Sequence, residues 1–458
     1  MNIKFLPLGG ANEIGASCFY VNIEGTGVIL DCGMHPQKTG LDALPKFELI
    51  KDSEIDYVLV SHAHQDHLSA LPFLVKLYPY IKIIATPQTR ALAELTLHNS
   101  VSILKQQLSE YEELKIFSHE EIDLLVQTIE YQSYNNEFII NGYNHKSSDD
   151  LTAELFDAGH ILGSTSILLK INDKKIFYTG DINLNNQALI KGASIPNENV
   201  DLLIIETTYG STDSSTLNSW EKEANNLASS INSILNDGGS VLIPVFSLGK
   251  QQEILTTLWQ LIQKRKLTFT EIYTGGIGNK INRVYDYNRF VVNMKDPEFE
   301  ISSIPTNNLY EVKSPEDFFK HPCIVLASSG MMIEGTASYN LAKRWIRQSD
   351  SAIFMVGYME ENTPGYKFSK AIKGGKIKLK NDKEEEVKCT IKNFKFSAHS
   401  NREELLNIVE KLEPKNVILV HGDPPAIDWI GASIIKGNKN IKVYSPEIGK
   451  EIQLSFDG

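Results

Sequence analysis

Short apolar runs separated by turn residues predict β-strands through the first third of the chain. The runs IKFLPLG, SCFYVNI, GVILDCG, YVLVSH and KIIATP are apolar throughout or alternate with polar residues. From Ala91 to about Gln132 apolar residues recur every three or four positions, a spacing that predicts helix. Strands are predicted again at AELFDAGH, STSILLKI, KIFYTGD and DLLIIETTYG.

In the middle of the chain, predicted helices and strands alternate. The helix WEKEANNLASSINSILN ends at Gly238 and Gly239, and the strand SVLIPVF and the helix KQQEILTTLWQLIQK follow, before strands at EIYTG and CIVLASSG. Such alternation is typical of parallel-sheet units. The helix REELLNIVEKL, the strand NVILVHG and a final KVYSPEIGKEIQL come last. We therefore expect a strand-rich part, an α/β insert and a strand-bearing return.

Composition narrows the class of protein. The 458 residues are 42% hydrophobic and 22% charged, which is typical of globular proteins. No apolar stretch approaches the roughly 18 to 20 residues that a membrane span needs, and the start MNIKFLPLGGANEIG lacks the apolar segment of a signal peptide. The four cysteines form no CxxC pair, which argues against a disulfide framework and a thiolate zinc site. We expect a cytoplasmic protein that does not enter a membrane.

The formal net charge of -12 argues against a general affinity for polyanions. Any nucleic-acid substrate therefore needs a local basic patch. From Tyr366 to Lys395, ten lysines stand against four acidic residues. Two interpretations of this lysine-rich segment stay open. It is either a solvated edge hairpin protected by lysine or part of the path of a nucleic acid.

A cluster of metal-binding side chains follows the predicted strand DYVLV. Three of the 11 histidines of the chain lie within the segment VLVSHAHQDHLSALP. Imidazole and carboxylate are the ligands that zinc takes where thiolate is absent. Residues two apart on an extended segment face the same way, so His62 and His64 can share one ion while Asp66 and His67, beyond the bend, bind a second. Three further candidates follow other predicted strands: His160, Asp181 and His421.

The order of these motifs resembles that of the metallo-β-lactamase fold. The segments ILDCG, HAHQDH, DAGH and YTGD match its motifs one after another. The resemblance implies an αββα sandwich that holds two zinc ions, with Asp31 as a carboxylate behind the ligands. It assigns His62, His64 and His160 to the first ion, Asp66 and His67 to the second, and a bridging position to Asp181.

Three further motifs resemble motifs A, B and C of the β-CASP nucleases. They contain Glu206 in ETTYG, His399 in FSAHS and His421 in VHGD, and His421 is expected among the metal ligands. The resemblance spans nearly the whole chain. It points to the RNA-cleaving branch of these nucleases, which contains the endonuclease subunit of the cleavage and polyadenylation specificity factor and its prokaryotic relatives. It implies an α/β architecture with a metallo-β-lactamase domain at 1–206 and 396–458 and an inserted α/β β-CASP domain at 207–395.

This resemblance implies a zinc-dependent ribonuclease that hydrolyses phosphodiester bonds of single-stranded RNA, expected to cut endonucleolytically. Two zinc ions about 3.5 to 4 Å apart can bridge a hydroxide and neutralise charge on the phosphate. His399 is suited to protonate the departing oxygen, and Glu206 to orient His399. Asp66, a ligand, is the third expected catalytic residue. For Glu206 and His399, a buried ion pair that joins two domains is the alternative.

Ser328, Ser329 and Gly330 follow a predicted strand, where backbone amides and hydroxyls can bind a phosphate. An ordinary strand-to-helix turn is the alternative. Where similar sequences have GTxGR, this chain has NTPGYKF, so Lys367 is a further candidate phosphate contact in place of arginine. Asn401 stands where aspartate is usual after motif B, and MIEGTA replaces a Gly-Gly-Pro-like stretch. These departures leave the substrate preference open.

Other functions stay in competition with the RNA endonuclease. They are a hydrolase of DNA or of a small molecule on the same fold, a 5′ exonuclease, and a non-catalytic subunit of an RNA-processing complex. The long insertion argues against a small substrate, and the complete ligand set argues against a non-catalytic subunit. We expect a monomer, a homodimer or a subunit of an RNA-processing assembly.

Overall fold

The computed structural model describes residues 2–107, 117–379 and 384–456. The chain divides into two compact units, one formed by 1–185, 191–214 and 399–458 and the other by 186–190 and 215–398. The domain boundaries expected from the sequence stay a prediction. Within the described ranges, no helix is both long enough and apolar enough to cross a bilayer.

The first unit contains two seven-stranded sheets. One sheet consists of β1 (Asn2–Gly9), β2 (Cys18–Ile23), β3 (Thr26–Leu30), β4 (Tyr57–Leu59), β5 (Lys82–Ala85), β6 (Ile129–Tyr131) and β22 (Ile452–Ser455), in the order β22-β1-β2-β3-β4-β5-β6. The other consists of β7 (Glu137–Ile139), β8 (Thr152–Asp157), β9 (Thr165–Ile171), β10 (Lys174–Tyr178), β11 (Leu202–Glu206), β20 (Asn416–Val420) and β21 (Lys442–Tyr444), in the order β21-β20-β11-β10-β9-β8-β7. The C-terminal return therefore adds strands to both sheets.

Six α-helices belong to the described part of this unit. They are α1 (Gln65–Leu68), α2 (Leu71–Leu77), α3 (Pro87–Gln107), α4 (His119–Thr128), α10 (Arg402–Leu412) and α11 (Pro424–Gly437). The segment predicted to be helical up to about Gln132 ends earlier, because residues 129–131 form β6 and pair with β5. Residues 108–116 of that prediction lie outside the described residues.

The two sheets pack face to face through alternate residues of their strands. In β9, Ile167 and Leu169 lie in the core between the sheets, whereas Leu168 lies in the core on the other face. Leu405 of α10 and Ile427 of α11 pack against that outer face. Burial on both faces explains why STSILLKI is apolar almost throughout.

The second unit is built around a parallel sheet. Its strands are β12 (Val241–Pro244), β13 (Glu271–Thr274), β14 (Asn307–Asn308), β15 (Cys323–Ala327), β16 (Ala352–Met355) and β19 (Thr390–Asn393), in the order β14-β13-β15-β12-β16-β19. Every pair in this sheet is parallel. The helices are α5 (Trp220–Asn236), α6 (Lys250–Gln263), α7 (Ile277–Asn288), α8 (Ala337–Trp345) and α9 (Pro364–Lys370). The α/β character expected of the insert is therefore present.

The lysine-rich segment contains the hairpin of β17 (Lys376–Lys378) and β18 (Glu384–Glu386). Lys376 Nζ lies 3.3 Å from Glu384 Oε2. The Arg347 guanidinium donates to both carboxylate oxygens of Glu385, at 2.8 and 2.7 Å. These carboxylates offset part of the lysine charge, which favours the solvated-hairpin interpretation. Residues 380–383 lie outside the described residues.

Candidate metal centre

The candidate ligands lie just beyond the carboxyl ends of four strands of the first unit. His62 follows β4, His160 follows β8, Asp181 follows β10 and His421 follows β20. Since β10, β11 and β20 are parallel neighbours, their carboxyl ends share one edge of the sheet. His64 precedes α1 directly, and this one-turn helix carries Asp66 and His67 beyond the bend.

Four of these side chains converge on one point. His62, His64, His160 and Asp181 each offer one ligand atom, and these atoms all lie within 4.8 Å of one another. His64 Nδ1 lies 3.1 Å from both His62 Nε2 and His160 Nε2. Asp181 Oδ2 is 3.6 Å from His62 Nε2 and 3.6 Å from His160 Nε2.

A second group lies on the other side of Asp181. Asp66 Oδ2 is 3.3 Å from His421 Nε2 and 3.8 Å from His67 Nε2. Asp181 Oδ1 is 3.4 Å from His67 Nε2 and 3.1 Å from His421 Nδ1. The two oxygens of Asp181 therefore face different donor groups.

The donor geometry suits metal ions. Ligands about 2.0 to 2.2 Å from one tetrahedral ion lie roughly 3.3 to 3.6 Å apart, close to the separations seen here. Asp181 Oδ1 is buried and accepts no hydrogen bond of good geometry from the described residues, which is costly unless a cation satisfies it. We conclude that the residues fit a metal-dependent site.

Asp31 lies behind His67 and fixes its ring. Asp31 Oδ2 lies 2.8 Å from His67 Nδ1, so His67 Nε2 faces Asp66 and Asp181. Asp31 also accepts hydrogen bonds from Ser61 N at 2.6 Å and from Tyr178 Oη at 2.6 Å. A carboxylate on the outer nitrogen of a histidine is the usual support for a metal ligand.

Two residues of the site have left-handed backbones. Asp31 has a φ of 59° and His421 a φ of 47°. Residues other than glycine seldom adopt this region, and such strain persists where the surroundings impose it. At His421, the backbone N–H donates to Gly10 O at 2.8 Å. At Asp31, the hydrogen bonds of the carboxylate hold the turn.

His399 lies at the edge of the metal-binding residues without belonging to either donor group. Its Nδ1 is 2.9 Å from Glu206 Oε1 and 3.1 Å from Oε2. Its Nε2 is 4.0 Å from Asp181 Oδ2. Glu206 is buried and also accepts a hydrogen bond from Ile182 N at 2.8 Å. The His399 ring is therefore oriented by a carboxylate that the backbone holds in place.

The charges around the site favour a cation. Burial lowers the pKa of His62 well below its ordinary value, so this imidazole is neutral, as metal binding requires. Burial also lowers the pKa of His67, but three neighbouring carboxylates outweigh it and raise that pKa to about 9. For His399, the carboxylates of Glu206 and Asp181 likewise outweigh burial and raise the pKa.

The predicted phosphate contacts belong to the second unit. Ser328, Ser329 and Gly330 follow β15, and Lys367 lies exposed on α9. Gly365, two residues before Lys367 in the same helix, donates its N–H to Met331 O at 2.9 Å. These four residues are thus parts of neighbouring segments within their own unit, and their role stays a prediction.

Three residues that support the site, Tyr178, Ser61 and Thr208, are not part of any motif recognised in the sequence. Tyr178 and Ser61 hold Asp31, and Thr208 Oγ1 lies 3.2 Å from His421 Nδ1. A signal was present for each, because Ser61 precedes His62, Tyr178 precedes Asp181 by three residues and Thr208 follows Glu206 by two. Spacing alone does not distinguish such supports from ordinary polar residues.

Comparison with known proteins supports the same interpretation. Residues 20–208 match the metallo-β-lactamase superfamily domain, 251–368 the Beta-Casp domain, and 384–446 a domain described as a Zn-dependent metallo-hydrolase RNA specificity domain. Over 425 residues the chain is 31% identical to an RNase J-like protein of Methanocaldococcus jannaschii, with 91% of each protein covered. The chain belongs to the β-CASP family of metallo-β-lactamase fold proteins. The expected family and fold class are confirmed.

Eukaryotic members of the β-CASP family match as well. The chain is 30% identical to cleavage and polyadenylation specificity factor subunit 3 of Dictyostelium discoideum over 99% of its length and 58% of the relative. It is 30% identical to the endoribonuclease ysh1 of Emericella nidulans over 99% of its length and 55% of the relative. The chain thus spans little more than half of these two proteins.

One solved structure agrees in fold along the whole chain. It is a crystal structure of a protein of unknown function from Enterococcus faecalis V583, with a TM-score of 0.59. The alignment covers 99% of this chain and 100% of that one at 15% identity. This likeness supports the fold alone.

Proposed function

We propose that the chain is a zinc-dependent endonuclease that hydrolyses phosphodiester bonds of single-stranded RNA and leaves 3′-hydroxyl and 5′-phosphate ends. The observation that carries the proposal is the position of His399. Its Nδ1 is bound to Glu206, and its Nε2 faces the donor groups without joining either of them. This position suits a proton donor better than a ligand.

In this proposal, His62, His64 and His160 would hold one ion, and Asp66, His67 and His421 would hold the other. Asp181 would serve both groups, since its two oxygens face different donors. Imidazole and carboxylate without thiolate are the donors of hydrolytic zinc sites. When bound, zinc supplies an activated water and neutralises charge on the phosphate. The match of residues 384–446 to a Zn-dependent RNA specificity domain supports both the metal and the polymer.

The residues of the chain perform the remaining steps. His399 donates a proton from Nε2 to the oxygen that leaves the phosphorus, and the hydrogen bond from Nδ1 to Glu206 keeps that nitrogen directed at the phosphate. Asp31 orients His67 from behind. Asp66 would contribute as a ligand beside His421, whose Nε2 lies 3.3 Å from Asp66 Oδ2. Backbone phosphates of the RNA bind to Ser328, Ser329, Gly330 and Lys367.

The names of the relatives support RNA as the substrate and a role in an RNA-processing assembly. A homodimer is the alternative expected from the sequence. The four cysteines described in the structure are buried and unpaired, which supports a reducing cytoplasmic location.

Single-stranded RNA and DNA of equal sequence, labelled at the 5′ end or at the 3′ end, test the proposal. With zinc present, the chain is expected to cut RNA internally and to leave DNA largely intact. Release of single nucleotides from the 5′ end would identify an exonuclease instead. Equal cutting of DNA would contradict the RNA preference, and no cutting of either polymer would favour a non-catalytic subunit.

A further inference from the structure

Helix α7 of the second unit has an exposed face that none of the functional residues above uses. Lys280, Arg283 and Tyr287 recur at spacings of three and four residues, and Phe290 follows three residues later in the turn after the helix. All four are exposed, Tyr287 by 88% and Phe290 by 59%. The opposite face is buried through Tyr285. We refer to Lys280, Arg283, Tyr287 and Phe290 as the α7 stripe.

The two cations of the α7 stripe have no ion pair or side-chain hydrogen bond with any part of the chain that the structure describes. Acidic groups near them in the sequence are already engaged. Asp286 accepts hydrogen bonds from Ile301 N at 2.6 Å and from Ser302 N at 3.0 Å. Glu300 pairs with Arg289. The stripe therefore carries two cations without ion-pair partners among the described residues, while Asp286, three residues after Arg283, keeps its negative charge.

Tyr310 extends the α7 stripe at the start of the helix. It is 59% exposed, and its ring lies against Gly275 and Gly276, where a Cβ on Gly275 would come within 2.8 Å of a ring carbon. Gly276 is the residue directly before α7, four residues before Lys280. An exposed ring thus precedes the two cations, and two more rings follow them.

The α7 stripe begins at the carboxyl edge of the parallel sheet. Strand β13 ends at Thr274, directly before Gly275, and β15 ends at Ala327, directly before Ser328. These two strands are parallel neighbours, so both segments leave the sheet at one edge. The stripe therefore starts at the edge that carries the predicted phosphate contacts and extends roughly 15 Å along the helix axis.

We propose that the α7 stripe and Tyr310 form an additional binding surface of the second unit for single-stranded RNA. This inference rests on the proposed function and deepens it. Unpaired cations bind backbone phosphates, and exposed rings stack on bases whatever their identity. An apolar protein partner would instead bury Lys280 and Arg283 without counter-charges, which is costly. The surface makes long RNA a better substrate than short RNA and adds no sequence preference.

Two double variants of the full chain test the surface, Lys280→Ala/Arg283→Ala and Tyr287→Ala/Phe290→Ala. Matched controls remove exposed groups elsewhere, as Lys436→Ala/Lys439→Ala and Tyr80→Ala/Tyr143→Ala. Lys280→Arg/Arg283→Lys keeps the charge. Binding of fluorescent uridine oligomers of about 30 and about 6 nucleotides is measured by anisotropy against salt, in a His399→Ala background. Cleavage of both oligomers is measured in the wild-type background.

The variant Lys280→Ala/Arg283→Ala is expected to bind the long oligomer more weakly than the wild type. The slope of log affinity against log salt concentration should fall by about 1.4, which is about 0.7 for each lost phosphate contact. The variant Tyr287→Ala/Phe290→Ala is expected to lower the affinity for the long oligomer by about fivefold or more. Both stripe variants should cleave the short oligomer at the wild-type rate. Both control variants should match the wild type in RNA binding and cleavage. The charge-keeping variant should retain the salt slope.

Wild-type affinity for the long oligomer in both double variants would overturn the inference. So would a change in self-association, measured by light scattering, with RNA affinity unaltered, because the surface would then bind protein. If the wild-type chain cut neither oligomer while the stripe variants still lost affinity, the proposed function would fail and the RNA-binding surface would stand.

Discussion

His399 Nδ1 and Glu206 Oε1 lie 2.9 Å apart, although 193 residues separate them in the sequence. The bond leaves His399 Nε2 as the nitrogen that faces Asp181. We expect His399→Ala to keep its zinc and to lose cleavage by about 100-fold or more, the usual contribution of a positioned acid. Metal analysis and single-turnover cleavage of labelled RNA on the same sample check this.

Glu206→Gln tests the other side of the hydrogen bond between His399 and Glu206. It keeps the shape of the side chain but removes the charge that holds the His399 imidazolium, so cleavage should fall while zinc content stays near the wild-type value. Wild-type cleavage in both His399→Ala and Glu206→Gln would mean that the pair is structural.

Asp31→Asn should weaken metal binding without abolishing it. The change removes the charge behind His67 Nδ1 but retains an oxygen for Ser61, and loss of such an outer carboxylate costs about 10- to 100-fold in affinity. Competition with a zinc indicator measures the effect. Tyr178→Phe, which removes only one hydrogen bond to Asp31, is the control and should change affinity less. Equal affinity in Asp31→Asn and the wild type would exclude this role.

Asp157 makes the stability of the chain depend on pH. Burial raises the pKa of Asp157 to about 6, against an ordinary value of 3.8, although the Gly159 N–H opposes the shift. A carboxyl whose pKa is raised by folding stabilises the folded chain at low pH, and that stability is lost as pH rises through about 6. Wild-type unfolding free energy should therefore drop, relative to Asp157→Asn, by about 2 kcal/mol between pH 4 and pH 7.

Urea unfolding of both chains at matched metal content measures this difference. A constant difference between Asp157→Asn and the wild type across this pH range would show that the carboxyl titrates normally.

Asn401 caps α10. Its side chain accepts a hydrogen bond from Glu404 N at 3.1 Å, and Glu404 accepts one from Asn401 N at 2.9 Å. Asn401→Ala should lower the free energy of unfolding by about 1 kcal/mol. Asn401→Asp keeps the cap and adds charge at the helix N-terminus, so it should be as stable as the wild type or more so. Thermal unfolding that ranks Asn401→Asp below Asn401→Ala would contradict the capping role of the residue at position 401.

Local signals explain which elements could be predicted from the sequence. The predicted segments WEKEANNLASSINSILN and REELLNIVEKL coincide with α5 and α10, because Ser219 and Asn401 cap them and Gly238 follows α5. The helix predicted up to about Gln132 is wrong at its end, where residues 129–131 form β6. Pairing with β5 decides that outcome, and no local pattern encodes it.

The same distinction holds at the metal centre. Ligand types and strand ends were visible in the sequence, since each motif is local. The partners of Asp31 were not, because Tyr178 reaches it from 147 residues away. The α7 stripe was also missed, since the segment IGNKINRVYDYN shows its exposed face only once Tyr285 is seen to be buried on the other side.

A zinc titration of the metal-stripped chain decides whether the donor groups form a catalytic two-metal site. Bound zinc per chain and the rate of internal cleavage of end-labelled single-stranded RNA are measured at each step. We predict saturation at two ions per chain, with cleavage appearing as the second ion binds. If the chain bound no zinc, or bound two zinc ions and left the RNA uncut, the proposed zinc-dependent ribonuclease activity would be wrong.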